Sequence, residues 1–121
     1  MNVTILLMKN FNGGLTMNIQ TLKKAIEIYG EKAQEDMFIE ESAELVKAIL
    51  KYRRLEAKAL KNLNEDYSAE MTILLEDIAE EIADCLITIE QLIMIFECRD
   101  EVNKKMQFKI DRLKERLENG N

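Results

Sequence analysis

The sequence predicts an all-α, four-helix bundle-like protein, and three observations predict it. Proline is absent, glycine occurs 4 times and aromatics make up 6% of the 121 residues, a composition that favours long helices over a sandwich or barrel. Apolar residues recur at three- and four-residue steps through four segments. Between the segments lie Gly30, an Asn- and Asp-rich stretch over 58–67, and Asp100, all of them places where a helix can pause or restart.

Residues 1–16 read as a flexible N-terminal tail or an upstream start, because 10–14 is turn-forming and helical periodicity begins only after Met17. One all-α domain then occupies 17–121. With Asn18 or Thr21 as N-cap, Leu22, Ala25, Ile26 and Tyr29 mark a first helix that pauses near Gly30. A second helix is predicted over 34–57. Its core face is Ile39, Ala43, Val46 and Ile49 with Leu45 and Leu50 alongside, an arc of roughly 160° when residues are placed about every 100°.

In 58–67, Asn62, Asn64 and Asp66 compete for backbone hydrogen bonds, which predicts a loop. Ser68 resembles an N-cap for a third helix over 68–98, roughly 45 Å long at about 1.5 Å per residue. Its apolar side comprises Leu74, Leu75, Ile78, Ile82, Cys85, Leu86, Ile89, Leu92, Ile93 and Phe96. The fourth helix starts after Asp100, shows Val102, Met106, Ile110, Leu113 and Leu117 on one face, and ends at Asn119 and Gly120. Helices this apolar in so short a chain bury more surface than one monomer covers, which predicts a homodimer or homotetramer.

A net charge of -6 argues against general affinity for nucleic acid or anionic membrane. No stretch is long and apolar enough for a signal peptide or a membrane span, since Glu90 and Gln91 interrupt 87–96, so a cytoplasmic location is expected. Histidine is absent, which removes His-based triads and most catalytic zinc sites and leaves carboxylates, Lys, Arg and metal to do any chemistry. Cys85 and Cys98 have neither disulfide-scaffold density nor zinc-knuckle spacing and read as buried, reduced thiols.

The segment Glu40-Glu41-Ser42-Ala43-Glu44 puts Glu41 and Glu44 on one helix face, and Glu80-Glu81-Ile82-Ala83-Asp84 does the same for Glu81 and Asp84. Glutamate pairs at helical spacing are ordinarily solvated surface. These border the apolar faces of two neighbouring helices, so antiparallel packing would gather four carboxylates into one partly buried pocket. Such a pocket repels itself unless a hard cation such as Mg²⁺ or Mn²⁺ joins it. On the fourth helix Lys105, Lys109, Arg112 and Arg116 form a basic stripe suited to polyphosphate, or equally to a solvated face.

Glu40-Glu41-x-x-Glu44, then Glu81-x-x-Asp84, then a Lys-rich last helix resembles the MazG-type all-α nucleoside triphosphate pyrophosphohydrolase family across about 18–116. The resemblance implies a MazG-type fold packed within a homo-oligomer, and hydrolysis of the α-β phosphate bond of a nucleoside triphosphate to monophosphate and pyrophosphate. By position it makes Glu41, Glu44, Glu81 and Asp84 the Mg²⁺ ligands and catalytic residues, one of them also activating water. Lys105 and Arg112, with Lys109 where several relatives carry Asn, would grip substrate phosphate. The base would enter between helices, against Phe38 or Tyr52. A helical module that binds nucleotide or protein without turnover is the alternative.

Overall fold

The structure, a computed structural model, describes residues 18–120, which form four α-helices and no strand. They are α1 (Ile19–Tyr29), α2 (Glu31–Lys61), α3 (Ser68–Phe96) and α4 (Arg99–Glu118). The predicted tail over 1–16 lies outside the described residues.

Asn18 is the N-cap of α1, its Oδ1 accepting from the Thr21 N–H at 3.1 Å. Gly30 alone separates α1 from α2, at φ 96°, a conformation that side chains with a Cβ rarely adopt. The second helix is longer than predicted at both ends, because 31–33 and 58–61 are mostly good helix formers with no breaker among them. The loop therefore shrinks to 62–67. Lys58 stays helical and sets its Nζ 5.6 Å from the Tyr67 ring centroid.

Ser68 is not the N-cap of α3 but its first residue. Asp66 does the capping work, accepting at Oδ1 from the Ser68 backbone N–H at 2.9 Å and from its hydroxyl at 2.7 Å. At the other end, Glu97 turns left-handed at φ 49° and Cys98 N–H donates back to Ile93 O, so α3 stops at Phe96 and α4 begins at Arg99. The Arg99 guanidinium bonds the buried Glu90 carboxylate across this turn.

Packing is dominated by α2 against α3, with α1 laid across both. The two long helices run antiparallel: Gln34 pairs with Gln91, and seven residues on along α2, Glu41 meets Asp84, seven residues back along α3. The α2 seam rises in steps of four and three through Gln34, Phe38, Glu41, Leu45, Ala48, Tyr52 and Leu55, all buried or half-buried. On α3 the matching line is Met71, Leu74, Ile78, Glu81, Cys85, Thr88 and Leu92.

This is not the predicted core face of α2. Ile39, Val46, Ile49 and Leu50 are 64%, 57%, 40% and 44% exposed, while the helix turns its more polar neighbouring stripe inward. On α3, Leu75, Ile82, Ile89 and Phe96, each seven residues from the last, are likewise exposed. Among the described residues the only buried hydrophobic side chains are Ala48, Leu55, Tyr67 and Cys85.

Helix α4 touches α3 alone, and residues 107–118 are exposed throughout. The expected four-helix bundle is therefore not closed within one chain: three helices pack and the fourth stands off, with Phe108, Ile110, Leu113 and Leu117 bare. Among the described residues, no helix is long and apolar enough to cross a membrane.

Candidate metal centre

The α2–α3 seam is apolar at its loop end and acidic at its middle. Glu41 comes from α2, and Glu81 and Asp84, one turn apart, from α3. One carboxylate oxygen from each lies within 4.8 Å of the other two, and all three residues are half-buried. Glu81 Oε2 is buried with no hydrogen-bond partner.

Burial, then the Asp84 charge, then hydrogen bonding to and the charge of Glu81 push the Glu41 carboxyl above its usual range. Burial, followed by the charges of Glu41, Glu81 and Asp84, raises the Cys85 thiol as well. Cys85 is buried, as expected, whereas Cys98, also expected to be buried, is half-buried at the α3–α4 turn; neither is in a disulfide.

An all-oxygen donor set suits a hard divalent ion such as Mg²⁺ or Mn²⁺. The orphaned Glu81 Oε2 suits one too, since a buried acceptor without a partner is costly and a cation would satisfy it. The residues present fit the ion.

Of the residues the sequence singles out, Glu41, Glu81 and Asp84 are brought together. Glu44, one turn beyond Glu41, is outside the cluster: its Oε1 lies 3.7 Å from Lys47 Nζ and its side chain is 47% exposed. Glu40 and Glu80 face solvent. Lys105, Lys109 and Arg112 are exposed on α4, which makes no contact with α2, and the Arg112 guanidinium sits 5.7 Å from the Phe108 ring centroid. Within one chain, packing does not carry the basic stripe to the acids.

A cleft of about 230 Å³ opens beside the cluster, between α1 and the α2–α3 pair. Glu41 and Asp84 form its acidic edge, Gln34, Gln91 and Thr88 add polar groups, and Leu22, Ala25, Met37 and Ile87 supply apolar wall. Gln34 and Gln91 were not singled out by sequence, although each stands seven residues from an acid on the same helical line. Phe38 and Tyr52, expected to face a base, lie in the α2–α3 seam and do not line this cleft. No protein-family model, curated protein or solved structure matches the chain.

Proposed function

We propose that this chain is a Mg²⁺-dependent nucleoside triphosphate pyrophosphohydrolase of the MazG type, acting on cytoplasmic nucleotides as a homodimer or homotetramer. One observation carries the proposal: Glu41, Glu81 and Asp84 converge from two helices, and one of these residues, Glu81, has a carboxylate oxygen buried without a partner. In this reading the three carboxylates hold Mg²⁺, or Mn²⁺ in its place, and Glu44, next along the same helix, is the fourth ligand.

When bound, the ion neutralises polyphosphate charge and acidifies water. The chain's own part is positioning and electrostatics, which is most of what phosphoryl chemistry demands. A carboxylate of the cluster orients the attacking water and takes its proton. The water oxygen bonds to phosphorus, and the anhydride P–O bond between the α and β phosphates breaks. The bridging oxygen leaves with its electron pair on the departing group. Lys105, Lys109 and Arg112 offer cationic grip for phosphate once α4 is fixed by assembly.

Assembly is supported by the exposed heptad lines on α2 and α3 and by the bare apolar side of α4. The same lines alone would favour a helical interaction or nucleotide-binding module without turnover. The three crowded carboxylates favour a metal-nucleotide site over a pure protein-interaction module, and turnover separates the hydrolase from a module that only binds nucleotide. Purified protein incubated with Mg²⁺ and a panel of ribo- and deoxyribonucleoside triphosphates should release pyrophosphate. Orthophosphate as the only phosphate product, or no product, would overturn the proposal.

A further inference from the structure

We propose that the cleft between α1 and the α2–α3 pair receives the nucleobase, with Gln34 reading its edge. This rests on the metal centre binding the phosphates of a nucleotide. Because Glu41 and Asp84 belong to both the acid cluster and the cleft, a ligand anchored by phosphate at the cluster has its remaining atoms at the cleft mouth.

The cleft has the size and the lining for a ring. At about 230 Å³ it falls short of the roughly 300 Å³ at which pockets for whole drug-sized ligands begin, so it houses a part of a ligand. Leu22, Ala25, Met37 and Ile87 provide apolar wall, and the Met37 thioether is a favourable neighbour for an aromatic ring.

Its polar groups are held in a fixed orientation. Gln91, only 2% exposed, donates from Nε2 to the Leu22 carbonyl at 3.3 Å and accepts at Oε1 from Gln34 Nε2 at 2.9 Å. That second bond uses one of the two amide hydrogens of Gln34 and sets the plane of its carboxamide. A carboxamide held this way presents a donor beside an acceptor, the pattern with which glutamine recognises a base edge. Gln91, tied to α1, acts as the positioning residue for Gln34.

The test is calorimetric titration of the full-length protein in Mg²⁺ with the four nucleoside 5′-monophosphates and with ribose 5-phosphate, which has the sugar and phosphate but no base. At least one monophosphate should bind about tenfold or more tightly than ribose 5-phosphate. Ala25→Leu, which fills the cleft, should erase that margin while leaving ribose 5-phosphate binding intact. Ile87→Phe does the same from α3 at a position 40% exposed, where folding tolerates the change, and circular dichroism checks both variants. Gln34→Leu should alter the ranking of the bases.

Equal binding of monophosphates and ribose 5-phosphate, or cleft-filling variants that leave the margin untouched or weaken both ligands alike, would overturn the inference. Pyrophosphate release, measured separately, distinguishes the two failures. Turnover with base-blind binding removes the cleft and keeps the hydrolase. Base-dependent binding without pyrophosphate does the reverse.

Discussion

Gln34 on α2 donates from Nε2 to Gln91 Oε1 on α3 at 2.9 Å, in a buried pair one heptad from the Glu41–Asp84 contact. A buried amide pair is satisfied in one register of the two helices only, so it fixes the alignment that also brings the acids together. Gln91→Leu strips partners from both Gln34 and the Leu22 carbonyl. We expect a loss of about 1–3 kcal/mol in chemical denaturation. Limited proteolysis should find α1 the first segment to be cut.

Glu81→Gln and Asp84→Asn should each lower the rate of pyrophosphate release by at least about 10² while leaving helicity unchanged. Both remove like charge from a crowded site, so without metal neither variant should melt below the wild type. A marked fall in melting temperature would assign these acids a structural role instead.

The raised Glu41 carboxyl makes the stability of the metal-free protein depend on pH. Below the unfolded value of about 4.3 both states are protonated and the group costs nothing; the cost grows as pH rises through the higher folded value. Metal-free protein should therefore gain stability from this group as pH falls from neutrality towards the unfolded value of about 4.3. Glu41→Gln should flatten that trend in thermal denaturation. Mg²⁺ should oppose it, and its binding should release protons in calorimetry run in two buffers.

Val46→Lys and Ile82→Lys place charges on the bare lines of α2 and α3, at residues 57% and 44% exposed in the single chain. Sedimentation equilibrium should show wild-type oligomers and variant monomers. Since neither side chain belongs to the α2–α3 seam, the variants should keep most of their helicity. Unchanged assembly in both would mean that these faces are not the interface.

The four helices were legible from the 3.6-residue recurrence of apolar side chains, and so were Asn18 as a cap and the pause at Gly30. The inward face of α2 was not. It carries two adjacent apolar lines, and the more hydrophobic one, through Ile39 and Val46, points outward. Periodicity shows that a line must be covered without showing by what. The inward line includes Gln34 and Glu41, whose polarity hides it from any reading by hydrophobicity.

Glu41, Glu81 and Asp84 were legible because three-residue spacing on a helix fixes direction, and antiparallel packing then aligns the two motifs. Glu44, three residues on, falls beside the inward line through Glu41 and Leu45 and stays exposed near Lys47, a difference of face that the shared spacing does not reveal. The placement of α4 turns on the left-handed Glu97 and the Arg99–Glu90 contact, both local to a two-residue break that periodicity passes over.

The stand-off of α4 has a consequence for how its backbone behaves in dilute solution. A 20-residue helix supported by neighbours only at its start has little beyond intrinsic propensity to hold its far turns, and helices of that kind are marginal in water. Amide protons beyond Met106 should therefore exchange with solvent nearly as fast as in a peptide when the protein is dilute, and slow down as concentration rises. Under the proposed assembly, order at this end of the molecule would be a property of the population, acquired as chains meet.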